Sequence, residues 1–436
     1  MRTRKLPNDD QSCGWIAMLP PPAAARQLGS DQRADCVVLG AGFTGLAVAR
    51  QLAAHCPQWR IIVLEAQRVG FGASGRNSGF VVDVGHYNPS RGVEGNQTLV
   101  RLGRAGRDHL RELVTLHGID CAWTERGRLH GAAGDVGVRA LERFCRGLDA
   151  MGEPYEPLDA VGIASITGTT YYRSGVRTPG AVMIQPAALV RGLAATLPPN
   201  VELFEESAVR AVRRRHHFVL DVAGAGTHTV VADRLFLAAN GFTAALGFLR
   251  RRVFPMFTFG SLTRVLSADE RTALGGEALW GLVPEEQMGT TVRRTRDRLL
   301  VRNTVHYTAK SAIDATYFQQ VCDIHRRSFA VRFPMLRHVD LEYTWGGVMG
   351  ITLNGNHFFG QLDTNLFAAA GYNGVGVAMG TISGKLLADL AVGADSPLLA
   401  DMRSLPGPSL IPPEPLLGIA VRSTLKRLTA RAKEEI

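Results

Sequence analysis

Lysine and long apolar runs are scarce in this chain of 436 residues. Only five lysines are present, so arginine carries most of the net charge of +10, which is spread out apart from residues 213–215 and 250–252. No basic motif with interleaved aromatic residues occurs, which argues against nucleic-acid binding. A diffuse positive charge favours anionic cofactors or substrates. No apolar run reaches the roughly 18 residues needed to span a bilayer.

Paired cysteines are also missing. Six cysteines are present, but no C-x-x-C pair and no Cys/His spacing of a metal site occurs. We therefore expect reduced thiols, no metal and a cytoplasmic protein. Residues 1–5 are charged like the start of a signal peptide, but the short apolar stretch 16–19 runs into three prolines, which argues against one. The length predicts two or three domains.

The stretch 35–65 carries the clearest functional pattern. An apolar run leads into G-x-G-x-x-G, a helix pattern of small residues follows, and a second apolar run ends in Glu65. Gly40 allows the tight turn, Gly42 lets a pyrophosphate approach the helix N-terminus, and Gly45 lets the helix pack closely on the strands. Glu65 stands where a carboxylate can bind an adenosine ribose. The pattern predicts an adenine dinucleotide, whereas a plain glycine-rich turn would not explain the spacing.

Two more glycine-rich stretches follow. Residues 69–80 contain four glycines, which argues against a packed helix and predicts a loop whose N–H groups and Arg76 guanidinium suit a phosphate or a heterocycle edge. A flexible surface loop is the alternative. Residues 371–376 lead into a helix with glycine at every fourth position, which predicts either a second helix N-terminus at the ligand or close helix–sheet packing. Three distant stretches of this kind fit one extended ligand, FAD rather than NAD.

The rest of the chain predicts alternating helices and short strands. Helices are expected at 96–117 with Gly118 as the terminating glycine, 186–197, 314–331 and up to about 390. Strands are expected at 127–131, 201–204, 209–215, 217–223, 228–232, 234–238, 253–266, 290–292, 299–305 and 366–370. Beyond Pro412 and Pro413, apolar side chains at helical spacing alternate with basic ones. This predicts an amphipathic helix that packs on the protein itself or makes weak contact with a membrane surface.

These stretches together resemble the FAD-dependent oxidoreductases of the D-amino acid oxidase superfamily. The similarity covers about residues 12–395 and is greatest to the branch of gamma-glutamylputrescine oxidase and glycine/sarcosine-oxidase-like enzymes. It is carried by residues 38–46, Glu65, 72–79, Pro186, Val209, Asn240 and Gly241, 333–334, 345–347 and 371–376. Two departures are a strand at 293–298 that is one residue shorter than in the family and a single late cysteine, Cys322. The resemblance therefore implies noncovalent FAD.

The resemblance also implies a fold and a division of the chain. The fold class is α/β with an α+β second domain: a glutathione-reductase-type, Rossmann-like FAD-binding domain and an antiparallel-sheet substrate domain. The expected segments are a lead-in at 1–34, a discontinuous FAD-binding domain at 35–85, 161–252 and 345–400, a substrate domain at 86–160 and 253–344, and a basic tail at 401–436.

By resemblance, the FAD site combines the three glycine-rich stretches with two positions from the middle of the chain. The implied cofactor-binding residues are Gly40, Gly42, Phe43, Thr44, Gly45, Glu65, Ser74, Gly75, Arg76, Asn77, Ser78, Val209, Asn240, Gly241, Gly371, Asn373, Gly374, Val375 and Gly376. Candidates for lining the substrate pocket are Met256, Phe257, Arg302, His306, Trp345 and Tyr372, and the last four are the candidate catalytic residues. Core packing is the alternative for each of them.

The implied activity is oxidation of the C–N bond of a primary or secondary amine or an amino acid. A hydride passes to flavin N5, the imine hydrolyses, and O₂ takes the electrons. A neutral amine must reach the flavin, so a general base would help, but the sequence does not identify one. One alternative is a quinone-linked dehydrogenase at the membrane surface. An alternative of another class is a flavin-binding subunit without catalysis.

Overall fold

The computed structural model of the chain describes residues 12–307 and 313–436. Residues 1–11 of the predicted lead-in, including the charged stretch 1–5, lie outside these residues. Within them, the strands in chain order are β1 (Gln32–Leu39), β2 (Ile61–Leu64), β3 (Phe80–Val81), β4 (Arg128–Ala132), β5 (Glu156–Asp159), β6 (Ser174–Thr178), β7 (Val182–Met183), β8 (Val201–Phe204), β9 (Ala208–Arg214), β10 (Phe218–Ala223), β11 (Thr227–Leu237), β12 (Phe254–Thr263), β13 (Trp280–Pro284), β14 (Thr291–Arg294), β15 (Leu299–His306), β16 (Leu341–Ile351), β17 (Phe358–Asp363) and β18 (Leu366–Ala370).

The α-helices of the same residues alternate with these strands. In chain order they are α1 (Gly14–Ala17), α2 (Phe43–His55), α3 (Ala73–Arg76), α4 (Gly92–His117), α5 (Asp135–Met151), α6 (Ala160–Thr167), α7 (Pro186–Ala195), α8 (Ala268–Leu274), α9 (Ala315–Arg332), α10 (Ala378–Val392), α11 (Pro397–Ser404) and α12 (Leu416–Ala432). Helix α4 ends at Gly118, whose φ of 59° is left-handed, as predicted.

The first large sheet has the order β17-β18-β11-β1-β2-β8, with β9 and β10 attached through β11. Strands β18, β11, β1, β2 and β8 run parallel. Strand β2 is buried along its whole length and β1 along its last four residues, as expected for strands covered on both faces. The predicted strand–helix–strand unit at 35–65 is present as β1, α2 and β2.

The second large sheet has the order β16-β12-β15-β14-β13-β4-β6-β5. Its pairs are antiparallel except for the parallel pair of β13 and β4. One face is apolar and packs on α9, through residues such as Leu129, Val292, Val301 and Phe329. The two sheets give the mixed α/β class that was predicted.

Helix α10 packs directly on helix α2. An added Cβ at Gly380 would lie 2.9 Å from Thr44 Oγ1, and one at Gly384 would lie 2.9 Å from Ala47 Cβ and overlap the Thr44 carbonyl oxygen. The recurring glycines at these two positions therefore serve close packing of two helices, because backbone approaches backbone there. This packing brings the N-termini of α2 and α10 to the same edge of the first sheet.

Two local expectations are wrong. Residues 73–76 form the short helix α3 rather than a loop, because Gly75 has no Cβ and can lie against Gly70. The two strands expected at 228–232 and 234–238 are one continuous strand, β11, which pairs with β10 in its first half and with β18 at its end.

Sheet membership and the predicted domain segments differ at two places. Strand β6 falls within 161–252 and part of β16 within 345–400, yet both strands pair in the second sheet. The reason is register, since β6 lies between β4 and β5, and β16 pairs along its length with β12. The domain limits themselves stay a prediction.

The two ends of the described chain pack on the rest of the protein. Trp15 of α1 is buried and donates a hydrogen bond from Nε1 to the Asn77 carbonyl oxygen at 2.9 Å. The apolar stripe of α12 packs through Leu417 on a cluster that contains Phe254 and Tyr307. Among the described residues, no helix is both long and apolar enough to cross a bilayer. None of the six cysteines, all of which lie in the described residues, is part of a disulfide.

Candidate cofactor and substrate site

A cleft of about 950 Å³, open to solvent at its mouth, follows the carboxyl edge of the first sheet. Ligands of parallel α/β sheets bind at this edge. The cleft is lined by Leu39, Gly40, Ala41, Gly42, Leu64, Glu65, Ala66, Gln67, Arg68, Gly70, Gly72, Ala73, Ser74, Val209, Ala238, Ala239, Asn240, Gly241, Phe242, Ala245, Leu246 and Val348. Seven of the predicted cofactor-binding residues are among them.

The glycines of the first loop let neighbouring parts of the protein approach closely. Gly40 has a φ of 103°, and an added Cβ would lie 2.9 Å from the Ala238 carbonyl oxygen. Gly42 is the N-cap of α2, and its Cβ would lie 2.6 Å from Ser74 Oγ. The Phe43 N–H donates to Ser74 Oγ at 3.1 Å, so the first turn of α2 is joined to α3. The free N–H groups at this helix start suit a pyrophosphate.

Glu65 lies at the end of β2 and lines the cleft. Its Oε2 accepts from the Ala41 N–H at 2.8 Å, and Oε1 accepts from the Gln67 N–H at 3.0 Å. Burial raises the pKa of the Glu65 carboxyl, and these two amides oppose that rise. The carboxylate is thus held in place beside the glycine loop, at the position expected for a ribose contact.

The stretch 74–79 is fixed by side chains of its own and by the second sheet. Asn77 Oδ1 accepts from the Gly79 N–H at 2.8 Å, and Nδ2 donates to the Ser74 carbonyl oxygen at 2.8 Å. Arg76 Nε donates to the Gly346 carbonyl oxygen at 2.8 Å. From β14, Arg293 Nη1 donates to the carbonyl oxygens of Ser78, Gly79 and Ile184 at 3.2, 3.0 and 2.5 Å. Burial lowers the pKa of Arg293 to about 9.

The stretch 371–376 is fixed in a similar way. Asn240 Oδ1 accepts from the Gly371 N–H at 2.9 Å, which joins this stretch to the end of β11. Asn373 has a φ of 52°, accepts from the Thr352 N–H at 2.9 Å and donates to the Gly371 carbonyl oxygen at 2.7 Å. Gly374, with a φ of 96°, faces open space. Val375 and Gly376 continue into the first turn of α10, where Gly380 N–H donates to the Gly376 carbonyl oxygen.

The structure places Trp345 and Tyr372 in the core rather than on a pocket wall. Trp345 is 1% exposed and donates from Nε1 to the Arg76 carbonyl oxygen at 3.0 Å. Tyr372 is 4% exposed, and its hydroxyl forms a 3.0 Å hydrogen bond with Thr44 Oγ1. Burial raises the pKa of the Tyr372 hydroxyl above its ordinary value. The Trp345 ring packs behind Arg76 and the Tyr372 ring packs between α2 and α10. Both rings therefore support the glycine-rich stretches 74–79 and 371–376.

His306 and Phe257 lie on the side of the second sheet that α9 covers. The His306 ring packs on Tyr317 of α9 with ring centroids 4.0 Å apart. Phe257 stacks on Phe259, which also contacts Tyr317 and the neighbouring Phe318. The structure therefore separates these two candidates from Arg302, which lies on the other face.

The opposite face of the second sheet is turned toward the stretch 74–79. Arg302 and Trp345 are both paired with Gly260, so they share this face. The Nη2 group of Arg302 lies 3.7 Å from Met349 Sδ, and an added Cβ at Gly347 would lie 3.7 Å from Arg76 Cβ. This face therefore looks toward the stretch 74–79, and the surroundings of Arg302 on it are the candidate substrate site.

Arg302 is a charged group without a counter-ion on this face. Burial lowers the pKa of its guanidinium to about 10. In residues 12–307 and 313–436 no carboxylate forms an ion pair with it. On the neighbouring strand β12, the Thr258 hydroxyl is buried and also lacks a hydrogen-bond partner among the described residues. Both groups suit a polar, anionic part of a ligand.

Farther along the same face lies a cluster that the sequence did not reveal. The Glu285 carboxylate accepts from His130 Nδ1 at 2.6 Å and from His86 Nδ1 at 2.9 Å. Arg128 Nε donates to His130 Nε2 at 3.3 Å. The sequence signal for this cluster is the alternation of polar and apolar residues, since Arg128 and His130 flank Leu129 in β4. Such alternation also fits a strand whose polar face is exposed to solvent.

Comparison with known proteins agrees with this geometry. The sequence pattern described as FAD dependent oxidoreductase matches residues 35–390. The chain is 29% identical over 408 residues to the probable oxidoreductase OrdL of Rhizobium meliloti (strain 1021), covering 88% of this chain and 89% of the relative. It is 28% identical over 371 residues to gamma-glutamylputrescine oxidoreductase of Escherichia coli (strain K12), covering 82% and 84%. The crystal structure of glycine oxidase from Geobacillus kaustophilus superposes with a TM-score of 0.69 at 22% identity, covering 84% of this chain and 96% of that one.

Proposed function

The chain belongs to the FAD dependent oxidoreductase family, and from that premise we propose that it oxidises the C–N bond of an amine or amino acid. Bound FAD supplies the acceptor for the two electrons of this reaction. The imine formed from the substrate then hydrolyses to a carbonyl compound, and O₂ is the proposed final electron acceptor. The position of Cys322 on α9, which covers the far face of the second sheet, favours noncovalent FAD.

The cleft fits the adenosine and pyrophosphate parts of this cofactor. Gly40, Gly42 and the N-terminus of α2 would hold the pyrophosphate, and Glu65 would accept from the ribose hydroxyls. The stretches 74–79 and 371–376 would flank the ring. Hydrogen bonds within the protein hold both stretches, which lowers the cost of ordering them when a ligand binds.

The partly buried guanidinium of Arg302, which has no counter-ion among the described residues, is the observation on which we base the substrate class. A partly buried cation without a counter-ion is unfavourable, and a substrate carboxylate would form a charge-assisted, bidentate pair with it. We therefore propose a substrate that carries a carboxylate, namely an amino acid or an N-substituted amino acid. The carboxylate on Arg302 would orient the amine-bearing carbon toward the loops at 74–79 and 371–376.

An anaerobic screen of matched ligands tests the proposal. Purified protein is expected to be yellow, and flavin bleaching is recorded with D- and L-amino acids, N-methyl amino acids and the corresponding decarboxylated amines. Carboxylate-bearing amines should bleach the flavin at much lower concentration than their decarboxylated partners. A protein that stays colourless with added FAD, or a flavin that no amine reduces, would contradict the proposed function.

Arg302→Met gives the residue-level test. Loss of one charge pair of this kind costs about 3–5 kcal/mol, which corresponds to a rise of roughly 10²- to 10⁴-fold in the substrate concentration for half-maximal bleaching. Arg326→Met on α9 is the matched control, because Arg326 is exposed and pairs only with Asp323 of its own helix among the described residues. Equal effects of the two variants would remove Arg302 from the substrate site.

The two alternatives are separated by the fate of the electrons. With one active substrate, oxygen consumption favours the oxidase, whereas reduction of a quinone-like dye without oxygen consumption favours a dehydrogenase. Bleaching by any amine excludes a flavin-binding subunit without catalysis. The tail helix α12 bears on the dehydrogenase alternative, since Leu416 and Ile419 are exposed on it. Vesicle binding by the wild type that is lost in a Leu416→Ser/Ile419→Ser variant would support membrane contact.

A further inference from the structure

The His86–Glu285–His130 cluster is a chain of three side chains that runs from the core of the second sheet to open space. His130 is fully buried, the Glu285 side chain is 5% exposed, and the His86 side chain is 60% exposed. Each neighbouring pair is joined by one hydrogen bond through the Glu285 carboxylate. In such an arrangement the buried His130 ring holds Glu285 in place, and Glu285 in turn orients the exposed His86 ring.

The protonation state of the inner histidine follows from its partners. Arg128 Nε can only donate, so His130 Nε2 accepts, and His130 Nδ1 carries the proton that is donated to Glu285. Burial and Arg128 lower the pKa of His130 to about 4, so this ring stays neutral at physiological pH. Burial alone would raise the pKa of the Glu285 carboxyl, but His86 and His130 together hold it below its usual range. Glu285 is therefore an anion that is held rigidly.

The outer histidine has one ring nitrogen occupied and one available. His86 Nδ1 donates to Glu285 at 2.9 Å. Over the ranges that the structure describes, no partner lies within hydrogen-bonding distance of His86 Nε2. A neutral imidazole that donates through Nδ1 presents a lone pair at Nε2, which is the state of a general base oriented by a carboxylate.

His86 also lies beside the candidate substrate site. Its neighbour Gly85 is close to the stretch 371–376, since an added Cβ would lie 3.8 Å from Val375 Cγ1. Leu282, Val292 and Leu129 are paired on the face toward α9, so Arg302 and His130 share the opposite face. Through Glu285, His86 is joined to His130 on that face. His86 therefore lies on the same side of the second sheet as Arg302, next to the stretch 371–376.

We propose that His86 accepts a proton from the ammonium group of the substrate through Nε2, and that Glu285 is the positioning residue for this ring. This assignment rests on the proposed function. In the step, an N–H bond of the ammonium group breaks, its electron pair stays on nitrogen, and the proton forms the second N–H bond of His86. The product is the neutral amine that C–N oxidation requires, and the imidazolium later releases its proton to water.

Charged groups around His86 define the expected pH dependence. Glu285 raises the pKa of His86 above its ordinary value of 6.5, while Arg128 and Arg302 oppose the rise, and His130 stays neutral. The unprotonated, reactive form therefore becomes more populated as the pH rises through that raised pKa. The limiting rate of flavin bleaching should fall on the acid side of it.

The experiment measures the limiting rate of anaerobic bleaching with one active amine between pH 5.5 and 10. His86→Asn keeps a donor toward Glu285 but has no base, so the rate at pH 7 should drop by roughly 10²-fold or more. The deficit should shrink toward pH 10, where solvent deprotonates the amine without help. His338→Gln is the matched control, because His338 forms a similar 2.9 Å pair with Glu270 and its side chain is 59% exposed.

A second variant tests the positioning role. Glu285→Gln should move the acid limb of the profile to lower pH, and the same shift should appear when the His86 ring is titrated by NMR in the resting holoenzyme. An unchanged pH profile in His86→Asn, with normal bleaching by the wild type, would overturn this assignment alone. If no amine bleached the wild-type flavin, the proposed function and this assignment would both fail. FAD content and absorbance spectrum separate either result from misfolding.

Discussion

Replacement of Glu65 tests how the chain holds the adenosine end of its cofactor. The carboxylate is fixed by the N–H groups of Ala41 and Gln67 at 2.8 and 3.0 Å, on the floor of the cleft. A hydrogen bond to a charged group contributes about 1.5–3 kcal/mol, so Glu65→Ala should weaken FAD binding by roughly 10- to 150-fold. The FAD affinity of Glu65→Gln should fall between those of the wild type and Glu65→Ala, because the new amide NH₂ group must face one of the two N–H donors.

The assay is the dissociation constant of FAD, measured from the quenching of flavin fluorescence when apoprotein is titrated. Glu142→Ala is the matched control, because Glu142 is exposed on α5, away from the cleft. Thermal unfolding of the apoprotein is measured in parallel to separate loss of affinity from loss of folded protein. A dissociation constant of Glu65→Ala within about threefold of the wild type would refute the reasoning, since one charge-assisted hydrogen bond is worth more than that.

Three further predictions concern the supports of the site. Gly384→Ala should lower the free energy of unfolding in urea by about 1–3 kcal/mol, because its Cβ overlaps the backbone of α2. The control Gly407→Ala should match the wild type, because its Cβ meets nothing within 4 Å. Equal urea midpoints of the two variants would contradict this account of the packing. Arg293→Met leaves the buried carbonyl of Gly79 without its donor and should speed FAD loss after dilution by roughly fivefold or more, and an unchanged rate would show that the loop holds itself. Burial raises the pKa of the Glu435 carboxyl above its ordinary value of 4.5. The contribution of Glu435 to stability is therefore complete below pH 4.5 and is lost as the pH rises through the raised pKa. Glu435→Gln should remove this pH dependence of the urea midpoint, and a pH dependence that persists would assign it to another group.

The cofactor half of the site was predictable from the sequence because its signals are local. Within 35–65, the turn glycines, the helix start and the final acid are contiguous, and β1, α2 and β2 follow that order. The stretch 371–376 was found for the same reason, as a strand followed by a glycine turn. The short helix α3 was missed because composition argued against it, while Gly75 allows a close approach that only the fold reveals.

The substrate half could not be predicted in the same way. Arg302 and His130 come from β15 and β4, Glu285 follows β13, and His86 lies between β3 and α4. A strand with charged residues on one face is normally solvated there, and only the tertiary structure shows that Arg128 and His130 are buried. Trp345 and Tyr372 stand in glycine-rich stretches, yet both rings pack inward, Trp345 against Gly14 and Gly260 and Tyr372 against Gly376 and Gly380.

The order of strands in the first sheet has a consequence for synthesis. Strand β1 pairs with β11, and β11 pairs with β18, which follows β1 by about 330 residues. At 5–20 residues per second, a ribosome needs roughly 15 to 70 seconds to make the chain between β1 and β18. During that time α2 lacks the glycine face of α10, and the edge at which we propose that FAD binds is incomplete. We therefore expect FAD to bind only after α10 has been made.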